Sequence, residues 1–233
     1  MHFFVSDRFL FRLAFGVIVL ALVAFPAVVV WNYYFNEARD AGTERIDPVR
    51  PIRENDHVQG NRVAQVQLIV FTDLECQYCK RFHEITRPAL LEKYGDTIVI
   101  VYRNFPMASR PKARNEAEAA ECVYNIAGHE AYWKFIDTVF AITPSNNGLD
   151  LSVLPDLAHG VGVGRAEFTK CQDAGASRER VTADIIEGTI AGVTQTPSIL
   201  VRSAGRSLLV SGDYPGRIKT AIEYVTAATT RSQ

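Results

Sequence analysis

The sequence predicts an α/β domain with an inserted helical block, preceded by an N-terminal transmembrane helix. Three observations predict it. Apolar, β-branched runs at residues 63–72 and 97–105 enclose one helical pattern. Residues 110–192 contain no good strand pattern. Two further strand-like runs, 197–203 and 207–212, then flank the turn residues Ala204, Gly205 and Arg206 ahead of a last amphipathic helix.

The N-terminal run, residues 13–31, reads LAFGVIVLALVAFPAVVVW and carries no charge. At about 1.5 Å rise per residue it can cross a hydrocarbon core of about 30 Å. Trp31, Tyr33 and Tyr34 follow as an interfacial belt, and Arg8 and Arg12 precede it, which favours a cytoplasmic N-terminus. A cleaved signal peptide is the competing reading. Leu22 fits poorly three residues before a cut at Ala24, and the apolar run continues through Val30, so an uncleaved anchor is preferred. Both readings export the rest of the chain, where disulfides persist. Residues 1–35 are thus an anchor, 36–62, with Pro48 and Pro51, a tether, and 63–230 the folded domain.

Within the domain, VAQVQLIVFT (63–72) suits a strand buried on both faces. Residues 76–94 turn helical, with Pro88 predicting a kink and Gly95 a stop. TIVIVYRNF (97–105) completes a βαβ unit. Ser109 and Pro111 predict the start of the helical block 110–192. Its aromatic stripe at 132–140 reads as core, and Ser177 as the cap of a helix with the stripe Val181, Ile185, Ile190. Residues 215–228 close the chain with Ile218, Ile222 and Val225 on one face.

Twenty-five Lys and Arg against 26 Asp and Glu give a net charge of −1, which argues against nucleic acid as a partner. The four cysteines are an even number, compatible with disulfides in an exported domain. Cys76 and Cys79, in DLECQYCK, sit where a strand hands over to a helix. That spacing suits three uses: a metal clip, a structural disulfide, or a redox pair. A zinc site needs about four ligands, and the second close pair is missing, although His83 is a possible third ligand. Redox chemistry is the preferred reading. A thiolate attacks disulfides, and the unpaired N–H groups of a helix start favour negative charge at the first cysteine.

With Cys76-Gln77-Tyr78-Cys79 opening the first helix and Thr196-Pro197 opening the third strand, residues 60–230 resemble the DsbA-like branch of the thioredoxin superfamily. FTDLECQYCKRFH (71–83) is similar to its active-site segment and TQTPSILV (194–201) to its cis-proline segment. The resemblance implies a thioredoxin-like fold and a thiol–disulfide oxidoreductase. It implies Cys76 as nucleophile, Cys79 as resolving cysteine, a cis Thr196–Pro197 bond, and a Thr196 backbone that pairs with an extended client. It also implies exported, cysteine-containing clients, a membrane redox partner, and a single-pass protein of the cytoplasmic membrane with its catalytic domain on the periplasmic side. No organic cofactor or metal is called for. Cys122 and Cys171, both in the helical block, match a structural disulfide of some relatives. Closing that loop constrains the unfolded chain by about 4 kcal/mol. A second redox relay and two unpaired thiols are the other readings.

The chain departs from the family at two places. Many relatives have proline between the cysteines, where this chain has Gln77 and Tyr78. Many carry a buried carboxylate six residues before the first cysteine, where this chain has Val70. Asp73 and Glu75 are the nearest acids, read either as tuning residues or as solvated loop acids. His83 is expected at the surface of the active-site helix. Oxidation of clients is the leading direction, reduction or isomerisation the alternative, and a metal-delivery module the alternative from another class.

Overall fold

A computed structural model describes residues 49–227, all within the second of two compact units, Arg45–Gln233. The run at residues 13–31, expected to be an anchor, lies outside the described residues. Among the described residues, no helix is long and apolar enough to cross a membrane.

One five-stranded sheet, in the order β1-β3-β2-β4-β5, organises the unit. β1 (His57–Gly60) runs antiparallel to β3 (Ile98–Asn104), which lies parallel to β2 (Val66–Thr72). β4 (Ser198–Ser203) runs antiparallel to β2, and β5 (Arg206–Ser211) antiparallel to β4. In β2, Leu68, Ile69, Val70 and Phe71 have no exposed surface. Each such side chain contributes about 1.5–3 kcal/mol on burial, so this strand anchors both faces of the sheet. The β4–β5 hairpin turns through Ala204 (φ 47°) and Gly205 (φ 79°), the left-handed pair that matches strand twist.

Helix α1 (Gln77–Arg81) passes through a π-helical segment, Phe82–Thr86, into α2 (Arg87–Tyr94). The kink expected at Pro88 takes this form. A proline lacks an N–H and crowds the carbonyl four residues back, and the wider turn before it relieves both. The helical block holds α3 (Ala113–Ile142), α4 (Leu154–Gly160), α5 (Arg165–Ala174) and α6 (Arg178–Ile190). Gly128, at φ 80°, breaks α3 into two helical pieces. α7 (Pro215–Thr226) buries Ile218, Ile222 and Val225.

One sheet face packs Leu68, Val70, Ile100 and Tyr102 against Phe82, the aromatic stripe of α3 and α7. The other packs Ile69, Phe71, Val99 and Val101 against Val49, Ile185, Ala191 and Val193. Gly188 on α6 lets that helix come close: a Cβ there would lie 2.6 Å from Phe105 and 2.9 Å from Phe71.

The structure corrects four expectations. The segment read as a tether to residue 62 contains β1, and its Arg50 and Asp56 join a buried ion network. Arg103, without exposed surface, pairs with Asp56 at 3.0 Å and with Glu187, while Arg50 meets Asp56 at 2.8 Å and Asp184 at 3.2 Å. The first helix of the block starts at Ala113 with Lys112 as its cap, because Arg110 and Pro111 are used in the preceding loop. Ser177 holds the cap position of α6 as expected, but its hydroxyl makes no capping bond and donates instead to Cys122 Sγ at 3.4 Å. Ile190 is 65% exposed, because the buried side of α6 is set by Val181, Asp184, Glu187 and Gly188.

Candidate active site

The site forms where the C-terminal end of β2 meets the loop before β4. Cys76 is the cap residue of α1, in extended conformation (φ −93°, ψ 117°), and its carbonyl accepts from Lys80 N at 2.9 Å. The Thr196–Pro197 bond is cis. Cys76 Sγ donates to the Thr196 carbonyl at 3.2 Å. Cys79 Sγ, one turn on, accepts from the Asp73 N–H at 3.5 Å. Both cysteines are reduced and buried, whereas Tyr78 between them is 50% exposed and Gln77 is exposed.

The two sulfurs are electrostatically unequal. The Cys76 thiol is lowered to about 6: the hydrogen bond from Cys79 is the largest cause, and it outweighs burial with help from the Thr196 side chain and the positive charge of Arg110. Thr196 Oγ1 is buried with no partner while Cys76 is protonated, so its hydroxyl is available to the thiolate. Burial pushes the Cys79 thiol up, and the neighbouring Cys76 pushes it further. The first sulfur is therefore built to be a thiolate and the second to keep its proton.

The acids on either side of Leu74 are not solvated. Asp73 and Glu75 have 2% and 0% exposure. Asp73 accepts from Glu75 N at 2.8 Å, Met107 N at 2.8 Å and Arg110 at 2.7 Å. Burial nevertheless raises its carboxyl above the usual range. Glu75 accepts from the N–H groups of Asn147 (2.7 Å), Gly148 (3.1 Å) and Leu149 (2.9 Å), and its carbonyl accepts from Asn146 N at 2.7 Å. Burial would raise its carboxyl, but Glu116 and these three N–H groups together hold it low. The loop presenting them runs through three successive left-handed residues, Ser145, Asn146 and Asn147. Such a run gathers N–H groups around an anion.

His83 also departs from expectation. It is 2% exposed, with Nε2 at 2.6 Å from Asp137 and Nδ1 at 3.2 Å from the Tyr102 hydroxyl. The π-helical turn carries it onto the core side, and burial lowers its pKa despite Asp137. Among the described residues no three His, Cys, Asp or Glu side chains form a metal-binding group. Cys122 and Cys171 form a disulfide (S–S 2.01 Å) joining α3 to α5.

Arg110, Glu116 and the 145–149 loop escaped the sequence reading. They reach the site from the helical block, and only tertiary structure brings them to residues 73–76. A cavity of about 550 Å³ opens beside Arg110, which lines it with Phe105, Met107, Arg114, Ile185, Val193 and Thr194.

A family model described as thioredoxin matches residues 53–206. The fold is similar to that of DsbA2 from Pseudomonas aeruginosa, with a TM-score of 0.62, 24% identity, and coverage of 75% of this chain and 96% of that one. It is also similar to BcfH from Salmonella enterica Typhimurium, with a TM-score of 0.73, 14% identity, and coverage of 94% and 95%. In sequence, 222 residues are 28% identical to a Na(+)/H(+) antiporter NhaA of Herminiimonas arsenicoxydans, covering 92% of this chain and 33% of that protein. The chain thus spans about a third of the length of the curated relatives it matches.

Proposed function

The chain belongs to the thioredoxin family and has a DsbA-like fold, and from that premise we propose that it is a thiol–disulfide oxidoreductase that oxidises dithiols in exported proteins. The observation that carries the direction is the inequality of the two sulfurs. A stabilised Cys76 thiolate favours the reduced form, which makes the Cys76–Cys79 disulfide readier to be given away.

A client thiolate attacks Cys76 Sγ. The Cys76–Cys79 bond breaks, and Cys79, whose thiol favours its proton, leaves and is protonated. The client's second thiolate then attacks the client sulfur of the mixed disulfide, and Cys76 departs as a thiolate. The client dithiol loses two electrons, the enzyme disulfide gains them, and one proton is released overall. A low-pKa leaving group speeds the second step. In this reading the Thr196 carbonyl beside Cys76 pairs with an extended client, and the cavity next to Thr194 takes a client side chain. The two cysteines carry the electrons, so no organic cofactor enters.

Residues 13–31 serve, in this proposal, as a single-pass anchor in the cytoplasmic membrane, with the domain on the periplasmic side and a membrane redox partner that reoxidises Cys76–Cys79. The stretch shared with the antiporter relatives includes residues 53–206, which match the thioredoxin family model.

The test is the reduction potential of Cys76–Cys79. A value above about −200 mV is expected, and one near about −270 mV would assign the chain to reduction instead. Cys79→Ser should trap mixed disulfides with clients through Cys76, and Cys76→Ser should trap none.

A further inference from the structure

Glu116 is a buried acid beside the active-site segment. It lies on the first turn of α3 with no exposed surface, and neither carboxyl oxygen meets an N–H or O–H donor. The group it faces is Glu75, the residue immediately before Cys76. Two buried carboxylates in contact, one of them without a donor, cannot both be charged. The hydrogen bonds decide which is ionised. Glu75 takes three backbone N–H groups from the left-handed loop, so the negative charge belongs there and the proton belongs on Glu116.

We propose that Glu116 is a positioning residue: it keeps a proton and donates it to Glu75, so that the segment leading into Cys76 carries one negative charge instead of two and stays latched to the 145–149 loop. The latch holds both sides. Glu75 fixes a run of three left-handed non-glycine residues, and Lys80, just after Cys79, donates to the carbonyls of Ala141 and Thr143 at the head of the same loop. The active-site segment is thus sewn to the block at residues 75 and 80, with both cysteines between. The titratable and charged groups facing the pair are Asp73 from the β2–α1 loop, with Arg110 on it, and Lys112 before α3, which donates to the Leu149 carbonyl. Burial is the largest reason Glu116 binds its proton tightly, followed by Glu75 and Asp73; its carboxyl is raised to about 9.

The test has two arms on the full chain. The first is urea unfolding of wild type and E116Q across pH 5–8.5. Glu116 is protonated when folded, to about 9, and loses its proton on unfolding above about 4.5, so the unfolded state binds fewer protons in this window. Wild type should lose stability relative to E116Q as pH rises, approaching tenfold in the folding equilibrium per pH unit. A gap that stays constant with pH overturns the proposal. The second arm rests on the redox reading and measures disulfide donation to a cysteine-containing peptide at pH 7. E116Q, a neutral donor, should stay within about twofold of wild type. E116A should be at least fivefold slower, with E116M in its place if E116A does not fold. Equal rates for all variants overturn the positioning role. The unfolding arm reads the same whichever way electrons flow, so its failure and that of the redox reading are distinguishable.

Discussion

At the scale of single residues, Arg110 links the acids and the thiols. Its guanidinium holds Asp73 at 2.7 Å and its charge favours the Cys76 thiolate. The rate of iodoacetamide alkylation of Cys76 should therefore rise through a midpoint near pH 6 and level above it. Arg110→Ala should move that midpoint upward by about one pH unit, because an opposite charge is lost and a buried acid is left uncompensated. The sign for stability follows. Cys76 titrates lower in the folded reduced chain than in the unfolded one, about 8.5. This thiolate therefore stabilises the reduced form fully above about pH 8.5 and ceases to do so as pH falls through about 6. Thermal unfolding of reduced and oxidised protein from pH 5 to 9 should show the reduced form gaining on the oxidised one as pH rises. Cys76 and Cys79 were legible in the sequence because their spacing and the strand before them carry the signal, and Pro197 was legible through the resemblance of its segment to the family's cis-proline segment. Arg110 and Glu116 were not: one follows a serine in a loop, the other sits in an alanine-rich helix start, and each gains meaning only from what folds against it.

At the scale of elements, the Cys122–Cys171 disulfide joins α3 to α5 far from the reactive pair in sequence. Replacing both with alanine should lower unfolding stability by about 4 kcal/mol in urea titration while leaving the Cys76 alkylation midpoint in place. Gly188→Ala tests the close approach of α6 to the sheet. Its Cβ would meet Phe105 and Phe71 inside contact distance, so a loss of about 1–3 kcal/mol is expected. The strands were readable because β2 and β3 are continuous apolar runs. The start of α3 was not, since Ser109 and Pro111 have the chemistry of a helix start while Arg110 is held by Asp73. Of the stripe on α6, Val181 is buried and Ile185 packs against the core, but Ile190 is exposed, because Asp184 and Glu187 face inward where arginines meet them.

At the scale of the whole described unit, β1 and the residues before it close the sheet edge and bury charge beside β3. His57, without exposed surface, stacks on Tyr132 with ring centroids 3.5 Å apart and holds Glu121 at 2.8 Å. A sequence pattern weighted to apolar residues reads such a segment as a linker, because its burial is ionic. Removing Arg103, which has Asp56 and Glu187 as partners, leaves buried charge unmatched, so Arg103→Ala should destabilise the fold by about 3–5 kcal/mol in urea unfolding. A chain begun at residue 63 should lose β1 and this network together, and hydrogen exchange along β3 should quicken relative to a chain begun at 49.

The burial of Cys76 against Cys79 has a consequence for survival under oxidative stress. An ionised cysteine at neutral pH is ordinarily an early casualty of peroxide, climbing to sulfinic and sulfonic acids that do not return. Here the sulfur has no exposed surface, and a thiol that favours its proton stands hydrogen-bonded beside it. A sulfenic acid formed at Cys76 condenses with the Cys79 thiol, expelling water and closing the disulfide. An encounter that ruins a lone thiolate leaves this protein with its Cys76–Cys79 disulfide closed.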